Sequence, residues 1–201
     1  MKRTIIDNLK NLFGWKTDRK IVVFSVDDYG NVRLDSKQAC ENMDKAGLKV
    51  DSRFDAYDTL ETRQDLEALY EVLTSVTDKN GNNVVFTPFA LPCNINFEAM
   101  AEEGYKRYIP ELLPQTYRKL EERHSDAYAG AWKLWQEGIE KGLMVPQFHG
   151  REHLNLKVFE EKLRKKSPDL IACLENRSYS SISHHPFDNI RYTAAFSFDK
   201  K

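Results

Sequence analysis

The sequence lacks any long uninterrupted apolar run. No stretch approaches the ~18 consecutive apolar residues needed to cross a membrane, and polar residues interrupt the basic N-terminal segment at Asp7, Asn8 and Lys10. A secretory signal needs a continuous apolar core and a small-residue cleavage site, and this segment has neither. We therefore expect no membrane span and no secretory signal.

Cysteine is also scarce. The chain has three cysteines, Cys40, Cys93 and Cys173, which are widely separated and include no CxxC pair. An odd number of scattered cysteines does not indicate a disulfide framework. Reduced thiols are typical of a reducing compartment, so the pattern predicts a cytoplasmic protein.

The chain has no excess of charge of either sign. It contains 30 Lys+Arg and 31 Asp+Glu, with a formal net charge of -1. This balance provides no broad basic surface for nucleic acid or for an anionic membrane, so neither is expected as a partner. The 201 residues fit one domain large enough to bury a core.

Strand and helix patterns alternate along the chain. Strands are predicted over 21–26, 53–57, 84–87, 143–148 and 192–198, and helices over 3–13, 36–46, 61–77 and 157–165, with two more between 114 and 141. The run 21–26 is continuous, apolar and rich in β-branched residues, which is typical of a buried strand. Strands separated by helices indicate βαβ units, a parallel sheet and therefore an α/β fold.

Two clusters of acidic and imidazole side chains follow predicted strands. Asp27 and Asp28 follow the strand 21–26, and His149 and His153 follow the strand 143–148. Functional residues of such folds collect at the carboxyl ends of the strands. One carboxylate and two imidazoles form a facial triad that leaves coordination sites open on a divalent metal such as zinc. The second carboxylate is then available as a base for metal-assisted hydrolysis.

These two clusters resemble the motifs of a known family. The string SVDDYG, residues 25–30, resembles the DDxG first motif of polysaccharide deacetylases, which include the chitooligosaccharide-type deacetylases. The string HGREH, residues 149–153, resembles their second motif, HxxxH. The resemblance covers about residues 20–155 and rests mainly on the two motifs, in this order and each after a strand.

The resemblance implies a reaction and a role for each residue. Asp27 would be the general base that activates a water, and Asp28, His149 and His153 would hold the metal, with zinc expected ahead of nickel, cobalt or magnesium. The reaction would remove an N- or O-acetyl group from an acetylated carbohydrate. The implied fold is a distorted (β/α) barrel of the deacetylase type.

The chain also departs from the family pattern. Neither the arginine-bearing loop nor the late leucine-histidine motif of the family is found after His153. A complete barrel typically needs ~250 residues. We therefore expect an N-terminal helical extension over 1–19 and a barrel-like metal-dependent hydrolase domain over 20–201 that is incomplete at its C-terminus.

Three further residues are candidates for substrate contact. Thr87 and Asn94 follow or end the third predicted strand, and Arg151 lies between the two histidines. Thr87 and Asn94 are assigned by position alone, because side chains after a strand line the sheet edge. Arg151 could orient a carboxylate or the substrate, or it could form a local ion pair with Glu152.

Three alternatives to a deacetylase site remain open. HGREH also satisfies HxxEH, the inverted zinc-protease motif, with Glu152 as base, but that motif belongs inside a helix and leaves Asp27 and Asp28 unexplained. A noncatalytic, truncated barrel that acts as a binding or structural domain is the second alternative. In the third, the aspartates only cap a turn and the two histidines are ordinary loop residues.

Overall fold

The described part of the chain is mixed α/β. The computed structural model describes Ile6, Leu9 and residues 13–48 and 59–179. The strands predicted over 53–57 and 192–198 lie outside these residues, as does most of the helix predicted over 3–13. None of the helices described here is both long enough and apolar enough to span a membrane.

Strands and helices alternate through these residues. The strands are β1 (Phe24–Tyr29), β2 (Phe86–Ala90), β3 (Cys93–Ile95), β4 (Pro110–Leu112) and β5 (Gln147–Phe148). The helices are α1 (Lys37–Lys45), α2 (Arg63–Ser75), α3 (Phe97–Glu102), α4 (Leu113–Arg123), α5 (Ser125–Tyr128), α6 (Ala131–Glu140), α7 (Leu156–Arg164) and α8 (Pro168–Glu175). The α/β class predicted from the alternating patterns is confirmed.

A three-stranded parallel sheet positions the two predicted clusters. Its strand order is β1-β2-β5, with Phe24 opposite Phe86 and Ala90 opposite Phe148. The carboxyl ends of β1 and β5 therefore lie at the same sheet edge, on either side of β2. In the described residues the sheet is open and does not close into a barrel, and β3 and β4 form a separate antiparallel pair.

The core forms two clusters, and the loop that follows β1 contributes Val32 to one and Leu34 to the other. One cluster packs α2, α4 and α6 against β2, and the other packs α1, α3, α7 and α8 against β3. The largest fully buried side chains include Tyr117, Phe159, Met43, Leu66, Leu91 and Met100. Helices with one apolar stripe pack in this way because that stripe is removed from water on the sheet and on neighbouring helices.

The prediction of a buried strand over 21–26 is wrong in two respects. The strand starts at Phe24, and the side chains of the run are exposed, with Val22 76 % and Val23 70 % exposed. Among the residues that the structure describes, β1 lies at the edge of the sheet and pairs with β2 alone. A continuous apolar run indicates a strand, but its periodicity does not reveal which faces other elements cover.

β2 continues through Pro88 to Ala90, whereas the sequence predicts a strand over 84–87 that stops before this proline. The ladder continues on both sides of it, with Thr87 opposite Ser25 and Phe89 opposite Gln147. Proline removes its own N–H, but its φ lies at the edge of the broad β region. β2 therefore lacks one backbone hydrogen-bond donor at Pro88 but stays extended.

Substitutions in the exposed run should have little effect on stability. We expect Val22→Thr and Val23→Thr to change the free energy of unfolding by less than about 0.5 kcal/mol each, as at other exposed positions. The matched control is Leu66→Ala in the core, where the loss should be about 2–5 kcal/mol. Urea denaturation measures all three. A loss above about 1.5 kcal/mol at Val22 or Val23 would mean that another surface covers the run.

Candidate metal centre

A β-bulge places Asp27 and Asp28 at the carboxyl end of β1. Val26 lies opposite Pro88 and Tyr29 opposite Ala90, so Asp27 and Asp28 together face one residue of β2. Such a bulge re-aims side chains at the point where pairing ends. Asp28 has a φ of 56°, in the left-handed region that aspartate tolerates better than most residues.

The chain turns tightly after the bulge, at Gly30. Its φ is +93°, and a Cβ there would lie 3.0 Å from the backbone oxygen of Leu91 and 3.1 Å from Cδ2 of Leu113. Asn94, which we expected near substrate, ties this turn to β3. Its Nδ2 donates to the Gly30 oxygen at 3.0 Å, and its Oδ1 accepts from the backbone N–H of Val32 at 2.8 Å.

Replacing this glycine should disturb both the fold and the site. We expect Gly30→Ala to lower the free energy of unfolding by about 1–3 kcal/mol, because of the positive φ and the contact with Leu91. Gly47→Ala is the matched control, since its φ is +77° and a Cβ would meet nothing within 4 Å. Thermal or chemical denaturation measures the free energy of unfolding of both variants, and the larger loss in Gly30→Ala reports the contact with Leu91. Equal losses in the two variants would contradict a contribution from this contact.

A short loop after β5 carries the two histidines. The backbone N–H of His149 donates to the Ala90 oxygen at 3.1 Å and extends the pairing of β5 with β2 by one residue. The chain then turns at Gly150, whose φ is +108°, and the Arg151 oxygen accepts from the Cys93 N–H at 2.9 Å. HGREH is therefore a loop and not a helical turn.

The ligand atoms of Asp28, His149 and His153 converge. Oδ1 of Asp28 lies 3.1 Å from Nε2 of His153 and 3.4 Å from Nε2 of His149, and one ligand atom from each residue lies within 4.8 Å of the other two. Atoms bound at zinc distances to one ion are themselves roughly 3–3.6 Å apart. Asp28, His149 and His153 could therefore hold a metal ion.

The chemistry of these three atoms fits a cation. Oδ1 of Asp28 is buried and, among the described residues, has no hydrogen-bond partner, although two imidazole nitrogens face it. Burial lowers the pKa of His153 against the opposing effect of the Asp28 charge, which favours the neutral imidazole that binds metals. A carboxylate oxygen and two imidazole nitrogens at this spacing are held together by a proton on Nε2 or by a cation between them, and one cation can engage all three atoms at once.

Asp27 lies beside the three converging residues. Its Oδ1 is 2.9 Å from Nε2 of His149, and its side chain is 72 % exposed, against 32 % for Asp28. It is not a member of the converging group. Asp27 is therefore next to the group and in contact with solvent, where a base can exchange protons with water.

Arg33 is a site residue that the sequence analysis missed. Its Nη2 donates to Oδ2 of Asp28 at 3.0 Å, and its side chain is buried. This bond engages one carboxylate oxygen and leaves the other facing the histidines. The only sequence signal was an arginine five residues after Asp28, and that spacing is not specific to any kind of site.

Removing Arg33 should weaken metal binding without removing a ligand. We expect Arg33→Met to lower zinc affinity by about 10–100-fold, as is usual when a group that orients a metal ligand is lost. Arg118→Met is the control, because Arg118 pairs with Glu122 on the exposed face of α4. Competition with a chromogenic chelator measures both. Equal affinities in the two variants would exclude the orienting role.

Arg151 and Thr87 are not among the converging residues. The Nη2 of Arg151 donates to Oε1 of Glu152 at 2.8 Å, and its guanidinium carbon lies 5.9 Å from the ring centre of Tyr108. Thr87 lies on β2 opposite Ser25 and is partly buried. The local ion pair considered for Arg151 and Glu152 is therefore present.

A cleft of about 400 Å³ opens beside the aspartates. The polar side chains that line it include Asp27, Asp28, Thr59, Glu61, Thr62 and Asp65. None of the described residues that line it is a lysine or an arginine. Glu61 had no recognisable motif in the sequence, because the loop that carries it reaches the sheet edge only in the folded chain.

Comparisons with known proteins do not identify a family for this chain. No protein-family model matches it, and neither a curated protein nor a solved structure does. The geometry of the three converging residues and the two motifs that supply them are therefore the grounds for assigning a function.

Proposed function

We propose that this chain is a metal-dependent hydrolase that removes an acetyl or another acyl group from a carbohydrate. We propose further that its sheet is part of a distorted (β/α) barrel of the deacetylase type. The observation that carries the proposal is the convergence of Asp28, His149 and His153 with Asp27 beside them. Both motifs that resemble those of polysaccharide deacetylases contribute residues to this group.

The four residues divide into two roles. Asp28, His149 and His153 would hold a divalent ion, for which zinc fits the nitrogen and oxygen donors best. When bound, such an ion polarises the acyl carbonyl and acidifies water. The carboxylate of Asp27 accepts the proton of the attacking water, and Arg33 holds Asp28 in its orientation through Oδ2.

The lining of the cleft supports a carbohydrate as the substrate class. The exposed hydroxyl of Thr59 can accept a hydrogen bond from a sugar hydroxyl, whereas Thr62 and Asp65 bond to each other in the N-terminal cap of α2. The carboxylates and the lack of lysine or arginine among the described lining residues disfavour an anionic sugar. The proposed substrate is therefore a neutral or amino-bearing acetylated sugar.

Release of acetate tests the proposal directly. The purified chain, stripped of metal and reloaded with zinc, nickel, cobalt or magnesium, is incubated with N-acetylated and O-acetylated oligosaccharides. We expect acetate release that requires metal and disappears on addition of a chelator. A protein that binds metal at the three residues but releases no acetate from any of these substrates would favour the noncatalytic alternative.

The inverted zinc-protease alternative has less support. Its motif belongs in a helix, whereas HGREH is a loop here. The carboxylate of Glu152, which would be the base, pairs with Arg151. We expect no cleavage of unfolded protein substrates by the metal-loaded chain. Such cleavage, with no effect of Asp27→Asn, would reverse the order of the two proposals.

A further inference from the structure

Glu61 is a partly buried residue that lines the same cleft as Asp27 and Asp28. It lies in the loop before α2, and the cleft lining includes all three acidic residues. Glu61 belongs to neither motif, and none of the roles proposed for the two aspartates and the two histidines involves it. A carboxyl group in a cleft whose surroundings shift its pKa is a candidate for a functional role.

Two aromatic side chains hold the Glu61 carboxyl group. The hydroxyl of Tyr117 and the indole N–H of Trp135 both donate to Oε1 of Glu61, and the same indole N–H lies 2.8 Å from the Tyr117 hydroxyl oxygen. Because both donors meet Oε1, the proton of the neutral acid belongs on Oε2. The carboxyl group is thus fixed in orientation, with one oxygen as acceptor and the other as donor.

The surroundings of Glu61 favour its neutral form, in contrast to those of Asp27. Burial raises the pKa of Glu61 and the charge of Asp65 adds to this effect, while the hydrogen bonds from Tyr117 and Trp135 oppose it. Asp27 is instead 72 % exposed. Two carboxyl groups in environments this different are suited to act as an acid and a base in one reaction.

We propose that Glu61 is the catalytic acid that protonates the leaving group. This inference rests on the hydrolase function proposed above. Glu61 would supply the proton that the leaving nitrogen needs when its bond to the acyl carbon breaks. Glu61 and the proposed base Asp27 both line this cleft.

The proton balance of the reaction is complete with these two residues. The water oxygen forms a bond to the acyl carbon and its proton passes to the Asp27 carboxylate. The bond from the acyl carbon to nitrogen then breaks, and its electron pair stays on nitrogen, which takes the proton from Oε2 of Glu61. The products are a carboxylic acid and an amine, with one water consumed. Asp27 afterwards loses its proton to solvent and Glu61 regains one.

Glu61→Gln tests the role through its dependence on the leaving group. Glutamine keeps an acceptor oxygen for Tyr117 and Trp135 but cannot donate an acidic proton. We expect kcat to fall by about 10²-fold or more on an N-acetylated oligosaccharide, whose amine must be protonated. On 4-nitrophenyl acetate, whose leaving group departs as an anion and needs no proton, kcat should change by less than about 3-fold.

The control is Glu67→Gln, which removes a carboxylate from the exposed ion pair with Arg63 on α2. It should leave both activities unchanged. An equal loss of kcat on the two substrates in Glu61→Gln, or no loss on either, would overturn the acid role of Glu61. Activity of the wild-type chain would in that case still support the hydrolase function. A wild-type chain that hydrolyses neither substrate would overturn both proposals.

The pH profile of the wild-type chain is an independent test that needs no variant. As the pH rises, kcat on the N-acetylated sugar should fall when Glu61 loses its proton, and kcat on 4-nitrophenyl acetate should not. The titratable groups whose charges act on or respond to Glu61 are Asp65 on α2, Tyr29 on β1, Tyr70 on α2, Tyr117 on α4 and Tyr128 on α5. Burial raises the pKa of each of these tyrosines, so all of them stay neutral at the pH values over which Glu61 loses its proton. Identical profiles on the two substrates would overturn the assignment.

Discussion

The His153→Ala variant is expected to lose zinc affinity by more than about 100-fold, beyond the range for residues that only orient a ligand. Nε2 of His153 lies 3.1 Å from the Asp28 oxygen that the ion would share. Without it, two protein ligands remain, which is fewer than catalytic zinc sites use. Competition with a chelator measures the loss.

Thermal stability gives a second measure of the same loss. An ion that binds the folded chain at 100 times its dissociation constant stabilises that chain by about 2.7 kcal/mol. We expect this increment in the wild-type chain and in the control His124→Ala, whose histidine lies at the end of α4. In His153→Ala the increment should disappear. Zinc stabilisation that persists in the variant would exclude His153 as a ligand.

The Asp27→Asn variant is expected to separate binding from turnover. Asp27 lies 2.9 Å from Nε2 of His149 but outside the converging group. We therefore expect zinc affinity to change by less than about 10-fold. Acetate release should fall by about 10²–10⁴-fold, because an amide cannot accept the proton of the attacking water.

Asp18→Asn is the matched control for this charge change, because it removes a carboxylate from an exposed loop. It should leave both zinc affinity and acetate release unchanged. A large loss of zinc affinity in Asp27→Asn would instead make Asp27 a ligand and leave the site without an assigned base. Unchanged acetate release would remove Asp27 from the mechanism.

The location of the site could be predicted from the sequence because the topology of parallel sheets is restrictive. Two acid and imidazole clusters after two strands of one parallel sheet lie at the same edge. The structure places β1 and β5 on either side of β2, so Asp28 comes close to His149 and His153. The hydrophobic pattern and the order of elements were enough for this inference.

The orientation of the two aspartates could not be predicted in the same way. The bulge opposite β2 and the φ of 56° at Asp28 separate the two carboxylates. Neither feature has a sequence signature, because a bulge depends on the register of the partner strand. The helix that the HxxEH motif requires does not form at HGREH for a similar reason, since pairing of His149 with Ala90 extends the strand.

The residues that complete the site could be recognised only in the folded chain. Arg33 contacts Asp28 across a turn, and Glu61 reaches the cleft from a loop held by Tyr117 and Trp135. The two aromatic residues lie on different helices, more than fifty positions from Glu61 in the sequence. Contacts of this kind depend on helix packing, which residue spacing along one chain does not encode.

The most direct test of the account is a crystal structure of the chain soaked in zinc, with the ion located by its anomalous scattering. We predict one ion at the carboxyl end of the sheet, bound by Asp28, His149 and His153 at about 2.0–2.2 Å. Asp27 should lie beside the ion without binding it. An ion bound elsewhere, or at this edge without any one of the three residues, would contradict the assignment of the metal centre.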